Sequence, residues 1–368
     1  MREFPASPIA ALVDETPRYD LAESYGSDLS VAELLGPDGS ALLGSIKLGY
    51  RTSLGDPDMR ALVAGRTGVS PDQVLVTAGA AAALFLVALL FGDGGGEVVV
   101  GRPCFPPVLD VLRGVGARVV TVTSGFDDGY RLDGERLRAS LSPRTRLVML
   151  ASPQNPSGIA LTPAEVGAAL DAMSAAYPGA VLLIDETYRE ARYGDDRAAP
   201  SFAGMSPRIL TCASLSKAYG AAGLRAGWLT VPDPGLREQL RLAKFNSSVC
   251  CGAVDEFLAG RLLARADQIL AERAVVLARA RAIVEDWAAA RAGALRWLRP
   301  DAGALGCVQL GPAADPGRFH ARLAELGTAV APGPWFGDSD RVFRLGLAYE
   351  PPARLAEGLA GITAALES

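Results

Sequence analysis

Between residues 74 and 213, short, mainly apolar runs recur between stretches of helical periodicity, and this alternation narrows the possible folds more than any other feature. The apolar runs are Val74–Thr77, Glu97–Val100, Arg118–Val122, Leu147–Leu150, Val181–Ile184 and Arg208–Ala213. Helical patterns at Ala80–Phe91, Pro107–Val115, Leu132–Ser140 and Pro163–Ala176 separate most of them. A strand with one wet face alternates polar and apolar residues. A strand apolar throughout is covered on both faces, as in a parallel sheet between two layers of helices. The expected fold class is therefore α/β, with a large, doubly wound, mostly parallel sheet. After Trp228–Pro234 the pattern changes. Helical periodicity rich in Ala, Leu and Arg runs from about residue 235 to residue 292. Apolar strands return at Gly306–Leu310 and Val342–Leu347, with helices at Pro316–Leu326 and Pro352–Leu366. This predicts a large domain over residues 46–234 and a smaller α+β domain from residues 1–45 and 235–368.

A chain of 368 residues has ample material for two cores. Its net charge of −5, with no basic block, argues against a nucleic-acid partner. The five cysteines, Cys104, Cys212, Cys250, Cys251 and Cys307, form no CxxC pair, and His320 is the single histidine. That combination argues against a metal site and for reduced thiols in a cytoplasmic compartment. His320 is expected on an exposed helix face, without a role. The opening stretch, residues 1–18, is broken by charges and prolines and is not expected to be a signal peptide. The apolar stretch from Val74 to Phe91 is long enough to suggest a membrane span. Thr77-Ala78-Gly79 interrupts it, however, so a strand, a turn and a buried helix account for the same residues, and no membrane partner is expected.

The residues that attract chemical attention lie where strands end, which is where open α/β sheets carry their sites. Lys217 follows the strand Arg208–Ala213 within Ser214-Leu215-Ser216-Lys217-Ala218-Tyr219-Gly220, and Arg225 comes eight positions later. A lysine that loses its proton is a nucleophile toward aldehydes and forms a Schiff base. Its small neighbours leave room for a flat ring and a phosphate, which Arg225 can grip through paired hydrogen bonds. Asp185 closes the run Val181–Ile184, where a carboxylate is costly unless it meets a cation; as a plain alternative, it caps a helix. Tyr188 stands three residues on. Asn155 sits in the turn-rich Ser152-Pro153-Gln154-Asn155-Pro156-Ser157-Gly158, which also reads as an ordinary loop. Gly79, Ala80 and Ala81 open a helix with small side chains, either a phosphate cradle or a structural turn. Arg344 lies inside the apolar strand Val342–Leu347, where an unpaired guanidinium would be expensive.

Taken together and in order, these segments resemble the signatures of the class I/II aminotransferases, fold type I enzymes that use pyridoxal phosphate. The stretch from Ser214 to Trp228 looks like the family's lysine signature. Asp185 with Tyr188 looks like its D-x-x-Y, and Asn155-Pro156-Ser157-Gly158 like its NPTG, with Ser157 in place of Thr. Tyr50 and Gly55-Asp56-Pro57-Asp58-Met59-Arg60 are similar to its Y…GDPELR segment, and Pro332–Gly337 to its PGxxFG loop. The resemblance implies that Lys217 holds the cofactor, that Asp185 keeps its ring nitrogen protonated, and that Tyr188 and Asn155 bind its phenolic oxygen. It implies a phosphate held by Gly79, Ala80, Ala81, Ser214, Ser216 and Arg225, with Phe105 stacked on the ring. Ala81 stands where many members carry a hydroxyl. Arg344, with Asn155, would take the substrate's α-carboxylate. Tyr50 would reach the neighbouring site of a homodimer. Tyr25, Trp335 and Phe336 either line the substrate pocket or merely pack. The implied activity moves an amino group between an amino acid and an α-keto acid. The alternative is a synthase, cyclase, lyase or oxidase of specialised metabolism on the same frame, because Ala22–Gly26 departs from the family's usual segment at the substrate end.

Overall fold

The computed structural model describes residues 4–92 and 94–367. Seven strands form the large sheet, in the spatial order Val74–Thr77, Gly227–Thr230, Ile209–Ser214, Val181–Asp185, Thr145–Ala151, Glu97–Arg102 and Arg118–Thr123. All pairings are parallel except those of Gly227–Thr230, which runs antiparallel to both its neighbours. The central strands are buried along almost their whole length, as continuous apolar runs require. Helices cover both faces. Gly79–Phe91 and Pro106–Val115 join one apolar cluster, whereas Pro163–Ala176 and Gly134–Ser140 join another on the opposite side.

Local chemistry sets the element ends. Asp56 caps Pro57–Thr67 by accepting the N–H groups of Asp58 and Met59 at 3.0 and 3.1 Å, and Gly68 closes that helix in the left-handed region at φ 73°. Thr162 and Glu165 form a reciprocal capping box at the start of Pro163–Ala176. Gly79–Phe91 differs: no side chain caps its first turn. Among the described residues no helix is long and apolar enough to cross a membrane. The suspect stretch is the strand Val74–Thr77 followed by the helix Gly79–Phe91.

Downstream, the expected helical region is three helices, Pro234–Ser248, Ala253–Ala264 and Ala266–Ala289. The first two pack on the large sheet's helices Gly79–Phe91 and Pro57–Thr67, and the third packs on Pro352–Leu366. A four-stranded antiparallel sheet follows, ordered Ala331–Pro332, Val342–Gly346, Leu305–Leu310, Leu295–Leu298. The N-terminal segment joins this end of the molecule: Tyr19–Asp20 pairs in parallel with Thr328–Ala329, and Gly346 N–H donates to the Leu21 carbonyl. His320, expected on an exposed face, is instead half-buried, with its ring edge-on to Phe319. The reason is spacing: it follows a buried residue on the strongly amphipathic helix Pro316–Glu325.

Candidate active site

A cavity of about 970 Å³ lies over the C-terminal ends of the parallel strands, the position that a doubly wound sheet leaves open. Lys217, Asp185, Tyr188, Asn155, Phe105, Ser214, Ser216, Arg225, Ala80, Ala81, Arg344 and Tyr25 all line it. Residues from positions 25 to 344 thus converge on one space. Tyr50 is not among the lining residues and is 90% exposed. Trp335 and Phe336 do not line it either. Phe336 is buried, with its ring 4.9 Å from the Arg344 guanidinium, and Trp335 packs beside it, so packing is their place in this chain.

Asp185 ends its strand at the cavity floor. One of its oxygens accepts the Thr187 N–H at 2.9 Å and the Thr187 hydroxyl at 2.6 Å. Burial raises its carboxyl above the ordinary value, and the bonds from Thr187 and the Cys212 thiol only partly offset this. No Lys or Arg pairs with it among the described residues.

Arg344 is 1% exposed. Its Nη1 donates to Asn155 Oδ1 at 2.9 Å and its Nη2 to the Ala22 carbonyl at 2.6 Å, while its Nε finds no partner. Desolvation lowers its pKa. Among the described residues no carboxylate forms an ion pair with this buried guanidinium. Tyr188, also buried, shares a hydrogen bond with Ser24 Oγ at 2.9 Å.

At the other end, Arg225 adopts φ 31° and Gly79 φ 78°. A Cβ on Gly79 would lie 2.6 Å from Arg225 Nη2, so glycine alone allows the guanidinium to fold onto this helix start. A left-handed arginine costs roughly 1–2 kcal/mol, which is tolerable where the surrounding structure dictates it. Ala78 offers no side-chain cap, so the first-turn N–H groups face an arginine and two small residues, Ala80 and Ala81. Ser214 Oγ accepts the Ser216 N–H at 3.4 Å just beyond the strand end. These features form an anion cradle.

Lys217 Nζ lies 3.7 Å from Glu23 Oε2 and 5.0 Å from the centroid of the Tyr25 ring. Sequence reasoning missed Glu23. It falls in the segment that departs from the family's usual pattern, and only the fold of the N-terminal segment brings it across to Lys217. Asp20, Tyr349, Glu350 and Arg354 are further lining residues that sequence reasoning did not single out. No group of three or more His, Cys, Asp or Glu side chains among the described residues is placed to hold a metal ion.

The family model of the aminotransferases of class I and II matches residues 30–362. The chain belongs to that family. Class I and II aminotransferases use pyridoxal phosphate to move an amino group between an amino acid and an α-keto acid, and that is the cofactor and the reaction class of this chain. It is 32% identical to the capreomycidine synthase of Streptomyces vinaceus, over 98% of this chain and 93% of that protein. It is also 32% identical to the arginine–pyruvate transaminase of Pseudomonas aeruginosa, over 74% of this chain and 69% of the relative. Among solved structures, a PLP-dependent aminotransferase from Streptococcus suis superposes with a TM-score of 0.89 at 26% identity, covering 99% of this chain and 98% of the other. The fold is accordingly that of the fold type I enzymes.

The cavity of this aminotransferase fits its cofactor. It offers an amine at Lys217, a half-buried carboxylate at Asp185 with no cation partner among the described residues for a ring N–H, and an anion cradle that a Cβ at Gly79 would fill.

Proposed function

We propose that Lys217 is the cofactor's attachment point and then the group that carries the proton of the reaction. The observation that carries this reading is the convergence of Lys217, Asp185, Tyr188, Asn155 and Arg344 on one cavity. Asp185 holds the ring nitrogen in its protonated form, since a carboxylate in a desolvated floor strongly favours a neighbouring cation. Tyr188 and Asn155 would donate hydrogen bonds to the ring's phenolic oxygen, and Phe105 would pack against the ring. Ser214, Ser216, Arg225 and the N–H groups of Gly79, Ala80 and Ala81 hold the phosphate, with backbone donors taking the share that a hydroxyl at position 81 would have carried.

Pyridoxal phosphate, when bound there, supplies the electron sink that makes the substrate's Cα–H acidic. Arg344 seats the substrate's α-carboxylate, and its free Nε and its bond to Asn155 support that role. With the carboxylate fixed, the Cα–H bond is oriented and the neutral Lys217 amine is the base placed to accept its proton and to serve afterwards as the acid. Tyr25 lines the side on which the substrate's side chain lies. The large part, residues 46–234, carries the cofactor, and residues 1–45 and 235–368 close the substrate side. Tyr50, highly exposed, reaches the neighbouring site of a homodimer in the cytoplasm.

The near full-length similarity to a synthase is also consistent with a second outcome on the same frame, in which removal of the same proton leads to bond formation instead of amino transfer. Product analysis separates the two, because only amino transfer consumes one α-keto acid for each one made. The assignment of Lys217 is tested by Lys217→Ala. Turnover and borohydride-stable attachment of the cofactor are expected to disappear, with circular dichroism still showing a folded protein. Wild-type turnover in that variant would refute the assignment.

A further inference from the structure

Glu23 is 9% exposed and lines the cavity beside the catalytic lysine. Its Oε2 accepts the Ser24 N–H at 3.1 Å, and its nearest cation is Lys217 Nζ at 3.7 Å. The same Nζ lies 5.0 Å from the centre of the Tyr25 ring, and Tyr349 meets that ring edge-on, with centroids 5.3 Å apart. The structure therefore already holds a cation in a corner built from one carboxylate and a tyrosine pair, a combination suited to an ammonium or a guanidinium.

During the reaction proposed for Lys217, that lysine cannot fill the corner. A lysine condensed with an aldehyde presents no free ammonium, and one about to accept a proton must be neutral. Glu23 is then a buried carboxylate with a single backbone donor, which is costly without a positive partner. Neighbouring charges do not replace Lys217. Arg344 spends its terminal nitrogens on Asn155 and the Ala22 carbonyl, and Arg354 is engaged by Glu350 at 2.7 Å. Asp20, whose oxygen accepts the N–H groups of Ala22 and Glu23, adds negative potential to the same wall.

We infer that the substrate is an amino acid with a long basic side chain, whose guanidinium or ammonium sits between Glu23 and the ring of Tyr25 when Lys217 vacates that corner. This rests on the reading of Lys217 as the cofactor's lysine. Because Glu23 lies so near the Lys217 amine, the basic group is held close to the reacting carbon, and the side chain folds back instead of extending into solvent. Acidic side chains are excluded by the carboxylates of Glu23 and Asp20.

The test is a titration of the holoenzyme, read by its visible absorbance and by calorimetry, with L-arginine against its neutral isostere L-citrulline and L-lysine against L-norleucine. Losing a charge-assisted hydrogen bond predicts half-saturation by the basic member at a concentration about tenfold or more lower. Glu23→Gln is expected to shrink that gap to about threefold or less without changing the absorbance of the bound cofactor, since glutamine keeps the shape and loses the charge. Tyr25→Leu, which leaves Glu23 in place, should narrow the gap severalfold and keeps the idea testable if the first variant does not fold. Equal half-saturation within each pair, no response to either basic amino acid, or an unchanged gap in the variants overturns the inference. Borohydride reduction and peptide mapping of the same holoenzyme distinguish the two failures. Cofactor absent from Lys217 defeats the underlying reading, whereas cofactor fixed there without charge discrimination defeats this inference alone.

Discussion

Asp185 shows what this site costs the folded chain. Its carboxyl is raised above the ordinary value of 3.8 by burial, so the folded state resists its ionisation more than the unfolded state does. The sign follows directly. Below pH 3.8 both states are protonated and no penalty exists; as pH rises through the raised folded value, the penalty sets in fully and stability is lost. Asp185→Asn removes the charge but still accepts the bonds from Thr187. The cofactor-free variant is therefore expected to melt a few degrees above the cofactor-free wild type at pH 7, with the difference vanishing toward pH 3.5, and to be nearly inactive when loaded. Differential scanning calorimetry at the two pH values checks it, and an unchanged melting temperature at pH 7 would remove Asp185 from the role of strained carboxylate. The residue itself was legible in sequence as a charge at the end of an aliphatic run. Its bond partner Thr187 lies two positions away, but the Cys212 thiol beneath it comes from a neighbouring strand that no local pattern specifies.

Among the elements, the start of the helix Gly79–Phe91 carries the most functional constraint. It lacks a side-chain cap, and Gly227 in the antiparallel strand leaves only 2.6 Å between a would-be Cβ and the Gly79 carbonyl carbon. Glycine on both sides lets the helix start, the strand Gly227–Thr230 and Arg225 crowd together. Gly79→Ala forces a Cβ into the left-handed region at a cost of about 1–2 kcal/mol. It also pushes the Arg225 guanidinium off the helix start. We expect that variant to release cofactor on dialysis that retains it in the wild type, measured by visible absorbance, and to unfold at lower urea concentration. Retention equal to the wild type would show that the phosphate is held elsewhere. The strand Gly227–Thr230 was not visible in the sequence, where Trp228–Pro234 reads only as a change of pattern. Its pairing with Val74–Thr77 and Ile209–Ser214 joins segments 150 or more residues apart on one side. Three helices replaced one expected helical region for a similar reason. Val249, at φ 59°, and Gly252 break the chain where it turns back onto the large sheet.

For the whole molecule, six of the exposed large apolar residues fall in two stretches, Leu48 with Tyr50 and the turn and helices carrying Leu242, Phe245, Val249 and Val254, while others, such as Phe4, Val13, Val275 and Val276, lie elsewhere. Exposed apolar side chains that lie together favour association, which is the basis for the proposed homodimer. Sedimentation is expected to give a mass twice that of the chain, and Tyr50→Ala is expected to weaken cofactor binding without changing the fold. A monomer at micromolar concentration with full activity would remove Tyr50 from the neighbouring site.

What the sequence determined by itself was whatever is encoded within a few residues. The apolar runs fixed a buried parallel sheet, because each strand carries its own burial pattern. The short motifs fixed the family, because Lys217, Asp185, Asn155 and Arg225 each sit in a local segment whose chemistry is self-contained. Tertiary structure alone decided which groups meet across the cavity. Arg344 bonds Asn155, 189 positions away, and Glu23 faces Lys217, brought there by the pairing of the N-terminal segment with Thr328–Ala329. Periodicity reports a residue's own exposure, whereas the partner of a buried charge is set by how distant segments pack.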